Sequence, residues 1–457
     1  MGATARWETD SGRDAAERLL LRGERFGIGG IRRLDLPGAW TAFDEEVRRV
    51  HARSYEPPRG DRIETRLCHP DGRIREAALG ERNPPLPLVA IRCADWVPAV
   101  RERARRVLAD ALAARPGQTL VDLVPLVLRL GRREQGAWAL ELFETALRAE
   151  EPVLAPLWRP ARPARWWRDA RPALTMTGEV PDTVMAWLRR SGDLRVRRFA
   201  VRLTLDAGLF DVRELARRAA GEQDPLTSRL WAEAATAAMA ADGPDDEAID
   251  SLLGGHVPMV RACGVTALRR AGRAAEAGRY LTDRSGLVRA CARWLVRQAG
   301  DDPYARCREL VEDPARVSAY AVAGFCECAG RADAPLLGAL LGHPDGAVRA
   351  AAVAGLRLLD ATPDDGVLLP MLDDPSASVT REVYRSLRDA ACRLPTGLLA
   401  ARAVPERPVH VRRAAFRLLR AQGGEAALRA AVTLGEDSDP GLRALAADTV
   451  RASRRRD

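Results

Sequence analysis

His343-Pro344-Asp345-Gly346, followed after Ala347 by Val348-Arg349-Ala350-Ala351, is the stretch whose recurrence decides the fold. Asp and Pro stop one helix, and Asp or Gly caps the next. Beyond Val348, apolar or small residues return at Ala351, Ala352 and Leu356, which is one face of a helix. The same phrase is found on both sides. Val260-Arg261-Ala262-Cys263, Val288-Arg289-Ala290-Cys291 and Val317-Ser318-Ala319-Tyr320 precede it; Val379-Thr380-Arg381-Glu382, Val411-Arg412-Arg413-Ala414 and Leu442-Arg443-Ala444-Leu445 follow. The lead residues are spaced by 28, 29, 31, 31, 32 and 31 positions. Such a period holds two short antiparallel helices and two turns, and self-similarity at this scale marks a repeat architecture.

Turn chemistry precedes most copies, at Asp283-Arg284-Ser285-Gly286, Asp313-Pro314, Asp374-Pro375 and Asp439-Pro440. Weaker copies lie upstream at Pro70-Asp71-Gly72-Arg73-Ile74-Arg75, Val100-Arg101, Val196-Arg197 and Asp224-Pro225-Leu226. The arginine after the lead residue is missing at Ser318 and Thr380, and no phase is readable between about residues 110 and 185.

These phrases resemble the HEAT-repeat family in its short bacterial form, whose second helix opens with an Asp turn, Val-Arg, and then Ala and Leu. The resemblance covers at least residues 245–457. It implies an all-α solenoid, a right-handed superhelix of about eleven to thirteen helical hairpins with second helices on the concave side, and it implies no reaction. Independently of the family, one such hairpin cannot bury its own apolar face, so stability has to come from stacking on its neighbours.

Composition agrees with helix. Aromatic residues make up 5% of the 457 residues. The net charge of +9 raises the question of nucleic acid, since basic clusters gain affinity by releasing phosphate counterions. All 72 basic residues are arginine and none is lysine, a usage that fits a GC-rich genome and takes weight from the total. The chain opens Met1-Gly2-Ala3-Thr4-Ala5-Arg6-Trp7-Glu8 with no apolar core of a secretory leader, and no run reaches the roughly 18 apolar residues of a spanning helix. The expectation is a cytoplasmic protein with no membrane partner.

Along the chain, residues 1–60 read as an N-terminal helical cap, with helices at Asp14–Arg25 and Trp40–Arg53 and a connector at Glu56-Pro57-Pro58-Arg59-Gly60. Degenerate repeats follow over 61–150, a Pro/Arg/Trp-rich insertion over 151–175, and repeats with a basic tail over 176–457.

Two arginine patterns are candidate binding surfaces. Nine residues beyond each lead stand Arg269, Arg297, Cys326, Arg357, Arg388, Arg420 and Arg451, a column that stacking would align into a ridge. The plainer account is that a cation in the last turn of a helix complements its dipole. The column one residue after the lead, Arg261, Arg289, Arg349, Arg412 and Arg443, lies near the turn aspartates and can bridge neighbouring repeats. The second pattern is Trp158, Arg159, Arg162, Arg165, Trp166, Trp167, Arg168 and Arg171, whose arginines recur every third residue. In polyproline II these fall on one edge, beside tryptophans able to stack on bases. The alternative is an inter-repeat insertion folded back on its own groove.

Catalytic signals are thin. His51, His69, His256, His343 and His410 stand far apart, and His69 and His343 belong to Pro-Asp-Gly turns. Gly27-Ile28-Gly29-Gly30 lacks the third glycine of a dinucleotide loop. The eight cysteines, Cys68, Cys93, Cys263, Cys291, Cys307, Cys326, Cys328 and Cys392, read as mostly buried small hydrophobes of a reduced protein. No cofactor is expected. The leading expectation is a non-catalytic scaffold binding a protein partner through its concave surface. The alternatives are a nucleic-acid-binding solenoid using the ridge and the Trp/Arg segment, and, by fold analogy, a HEAT-like alkylpurine DNA glycosylase using Asp182, Trp187 and Arg190, or Asp448.

Overall fold

The computed structural model describes residues 2–22, 24, 37–53, 62–148 and 183–453, and among them every regular element is a helix. The helices fall into two compact units, Met1–Ala234 and Ala235–Asp457, divided within the helix Pro225–Asp242.

The repeated phrase has one structural meaning. Val260, Val288, Val348, Val379, Val411 and Leu442 are each the third residue of a helix, namely Pro258–Ala267, Gly286–Gln298, Gly346–Leu358, Ala377–Leu387, Val409–Gln422 and Pro440–Ser453. The upstream copies share this register: Ile74, Val100 and Val196 are the third residues of Gly72–Ala78, Pro98–Ala114 and Leu194–Asp206. Asp71, Asp193 and Asp345 cap their helices by accepting the backbone N–H two residues on. Pro98, Pro258 and Pro440 take the first helical position, where the missing N–H costs nothing.

The face set by the lead residue is buried. Val348, Ala352 and Leu356 are inside, as are Val379, Val383 and Leu387, and Val411, Ala415 and Leu419. The small residue four positions on admits a neighbour: a Cβ on Gly264 would lie 2.8 Å from the backbone nitrogen of Leu253 in the preceding helix Asp246–Leu253. In the second unit Pro258–Ala267 stacks on Gly286–Gln298, and Gly346–Leu358, Ala377–Leu387 and Val409–Gln422 stack in turn. In the first unit Gly72–Ala78 packs on Pro98–Ala114, and their partner helices Ile63–Leu67 and Leu86–Arg92 pack on one another.

Three expectations change. The copy led by Val317 is out of register: its helix is Ala319–Cys326, and Ser318 is its N-cap, accepting the N–H of Ala321 at 3.2 Å. The first helix runs Gly2–Leu21 rather than from Asp14, and Gly12 within it is a contact point; a Cβ there would meet the carbonyl oxygen of Ala39 at 2.2 Å. The second, Pro37–Arg53, begins three residues before Trp40 and packs on Leu86–Arg92 and Pro116–Leu130 as well as on the first helix. The unphased region contains the pair Pro116–Leu130 and Ala137–Arg148, which pack on one another, and the former packs on Val184–Arg189 beyond the undescribed stretch. The connector at 56–60 and the insertion at 151–175 lie outside the described residues.

Candidate functional site

The arginine after the lead residue holds its own preceding turn, and in several copies it also reaches the next repeat; Arg101 and Arg443 hold only their own turns among the described residues. In Arg75, Arg261 and Arg349 the Nη1 donates to carbonyls of the preceding turn, six and five residues back, while Nε and Nη2 hold a carboxylate of the next repeat. Arg261 Nη1 donates to Gly255 O at 2.9 Å and His256 O at 3.0 Å, while its Nε and Nη2 hold Asp283 at 2.9 and 2.8 Å. Arg349 does so with His343 O, Pro344 O and Asp374, and Arg75 with His69 O, Pro70 O and Asp95. Arg412 takes Arg407 O and Asp437, and Arg197 takes Ser191 O and Glu222.

Each receiving aspartate passes the link on. Asp283 carries Arg261 on its carboxylate, accepts the Ser285 N–H at 2.7 Å, and offers its carbonyl to Arg289 of its own repeat at 2.6 Å. Asp95 serves Arg75, Val97 and Arg101 in the same three ways, and Asp437 serves Arg412, Asp439 and Arg443. Where the arginine is replaced by Thr380, its hydroxyl donates to Leu372 O at 3.2 Å and to the Asp374 carbonyl at 3.5 Å. Arg289, facing the displaced copy, pairs with Glu327 instead. This relay of charge-assisted hydrogen bonds fixes one repeat on the next. Burial alone would raise the carboxyls of Asp283, Asp374 and Asp437, but hydrogen bonds from the relay arginines and backbone N–H groups bring them below the ordinary aspartate value.

The nine-residue column is not one continuous free surface. Arg357 reaches Glu382 and Ser386 of the next helix, Arg388 pairs with Asp389, and Arg451 with Asp448. Arg269 lies over the ring of Trp294 at 5.4 Å, and Cys326 is buried. Arg297 and Arg420 are exposed in last turns and make no ion pair among the described residues. Trp158, Arg159, Arg162, Arg165, Trp166, Trp167, Arg168, Arg171 and Asp182 lie outside the described residues, and so does Gly27-Ile28-Gly29-Gly30. Trp187 is buried in the core.

His69 and His343 are turn residues, each accepting the N–H of the aspartate two positions on through Nδ1. Cys68, Cys93, Cys307 and Cys326 are buried, Cys263, Cys291 and Cys328 half-buried and Cys392 exposed. Burial pushes the Cys93 thiol up to about 12.

One cluster goes beyond the relay, and no sequence phrase announced it. At Asp95 two further arginines join. Arg92, the last residue of Leu86–Arg92, bridges Asp95 at 3.2 Å and Asp44, which lies on Pro37–Arg53. Arg48, one turn after Asp44, holds it at 3.2 Å and lies 3.9 Å from Asp95. Arg75 is 0% exposed and Arg92 1%. Burial lifts the Asp44 carboxyl above its ordinary value, against the pull of Arg48. Burial, with the Asp44 carboxylate nearby, pushes the Cys68 thiol well above its ordinary value. Next to Asp95, Trp96 is 63% exposed, with the guanidiniums of Arg48 and Arg75 at 4.7 and 4.4 Å from its ring centre. Trp96, Arg48, Arg92 and the exposed Arg133 border a cleft of about 210 Å³.

Comparison with known proteins gives no matching family model and no matching curated protein. Among the described residues no helix is long and apolar enough to cross a membrane.

Proposed function

We propose that the chain is a non-catalytic scaffold, a HEAT-like α-solenoid of about eleven to thirteen hairpins that binds a protein partner along its stacked second helices in the cytoplasm. The observation that carries this reading is the constant register of the relay. At Arg75, Arg197, Arg261, Arg349 and Arg412 an arginine at the fourth helical position holds its own turn and a carboxylate of the next repeat. Repeats held at one register build a long surface by stacking, and binding is what such a surface serves. Trp294 and Tyr320 expose apolar area on successive second helices and are the first contacts to test.

Two measurements test the proposal. In solution scattering, a solenoid of this length gives a radius of gyration of roughly 30 Å or more, whereas a compact 457-residue globule gives about 23 Å. For binding, a partner crosslinked in cells has to rebind as a purified protein, lose affinity on the double substitution Trp294→Ser and Tyr320→Ser, and keep it on Trp96→Ala. A compact radius refutes the solenoid; rebinding that ignores Trp294 and Tyr320 refutes the proposed surface.

A further inference from the structure

We propose that the cleft at Asp95 binds a mononucleotide, its phosphate among Arg48, Arg92 and Arg133 and its base on Trp96. This goes beyond the scaffold reading and does not rest on it.

At Asp283 and Asp374, relay aspartates of the second unit, a single arginine side chain makes the bidentate pair, Arg261 and Arg349, while Arg412 reaches one oxygen of Asp437 and leaves the other without a partner among the described residues. At Asp95, Arg75 alone already makes that bidentate pair, at 3.0 and 2.8 Å. Arg48 and Arg92 are therefore additions, and only one further buried carboxylate, Asp44, is supplied with them. Three guanidiniums thus surround two carboxylates. The Nε of Arg92 is buried with no hydrogen-bond acceptor among the described residues, as is that of the relay Arg412, so the excess of guanidiniums over carboxylates is what sets this cluster apart. Arg133, on the rim, makes no hydrogen bond or ion pair through its side chain among the described residues. The cluster therefore carries more positive than negative charge, and planar guanidiniums match the oxygens of a phosphate in pairs.

Trp96 supplies the second half of the ligand. Its ring is held by two guanidiniums that are themselves fixed on Asp95 and Asp44, yet most of the residue faces solvent. A clamped, exposed indole is a shelf for a planar base, and stacking on such a ring tolerates any base. The rim also carries Glu45 and Glu134, both exposed. These carboxylates oppose a long polyanion more than a single phosphate, which favours a mononucleotide over a nucleic-acid strand.

The test is calorimetric titration of the full chain with AMP, adenosine, inorganic phosphate and a single-stranded hexanucleotide. AMP is expected to bind at least about tenfold more tightly than adenosine or phosphate. Arg133→Ala and Trp96→Ala, both at exposed positions, are each expected to weaken AMP about tenfold with an unchanged unfolding midpoint. Trp294→Ala, removing an exposed tryptophan of the other unit, leaves AMP binding at the parent value. AMP binding no tighter than phosphate, or parent-like affinity in the Arg133 and Trp96 variants, overturns the proposal. A hexanucleotide bound more tightly than AMP overturns the choice of a mononucleotide in favour of nucleic acid.

Discussion

Asp95 and Asp374 occupy the same place in the repeat and differ in what surrounds them. Asp374 takes one arginine, Arg349, and caps its own turn through the Ser376 N–H, with its side chain 10% exposed. Asp95 takes Arg75, Arg92 and the neighbouring Arg48, its side chain is 0% exposed, and a second aspartate has been buried beside it. The first arrangement is what holding two repeats together requires. The second buries more charge than that task needs, at a desolvation cost that joining two turns does not explain. The difference separates a structural motif from a place where the same motif has been enlarged.

The contrast can be broken experimentally. Arg75→Met leaves the buried Asp95 and Arg92 with an incomplete network and should cost about 3–5 kcal/mol in urea unfolding. Arg349→Met exposes Asp374 to nearby water and should cost about 1.5–3 kcal/mol. Equal costs would mean that the extra charges at Asp95 change nothing.

Acid sharpens the comparison. Asp374 has a folded-state pKa below its ordinary value of 3.8, so its contribution is full above that value and is lost as pH falls through the folded pKa. Asp44 is shifted upward, so its contribution has the opposite sign: full below 3.8 and lost as pH rises through its folded pKa. Unfolding midpoints from pH 6 to 2 should therefore show Asp374→Asn less stable than the parent near neutrality and converging with it in acid. Asp44→Asn should show no such convergence. Smaller effects follow at the weaker links. Thr380→Val removes a hydroxyl that stands in for a relay arginine and should cost about 1 kcal/mol. Arg297→Ala and Arg420→Ala should stay within about 0.5 kcal/mol of the parent, since neither is ion-paired among the described residues.

Much of the helical plan is legible in the sequence because the repeat states it locally. Val348-Arg349 after Pro344-Asp345-Gly346 specifies a stop, a cap, a buried face and a bridging cation within a few residues, and six of seven such copies start their helices at one register. The bridging role of Arg261, Arg289, Arg349 and Arg412 could be read from their nearness to the turn aspartates. Reading failed where one residue type serves two ends. Ser318 looked like a lost arginine and is a helix cap; the first helix, read from Asp14, begins at Gly2 and touches its neighbour at Gly12. The pair Pro116–Leu130 and Ala137–Arg148 carries neither Asp turn nor Val-Arg, so its phase rests on packing alone.

The cleft was illegible for another reason. Arg92 stands at the end of a helix, where a cation is ordinary, and Asp44 in the N-terminal helices, where an acid is ordinary. Only the packing of Pro37–Arg53 against Leu86–Arg92 brings them together.

The most direct test of the account is a double-mutant cycle on Arg349→Met and Asp374→Asn, followed by urea unfolding near neutral pH. If the relay fixes one repeat on the next, the two substitutions are strongly non-additive, with a coupling of about 1–3 kcal/mol. Additive losses would mean that the arginine and the aspartate stabilise their own turns independently, and the clasp between repeats would be contradicted.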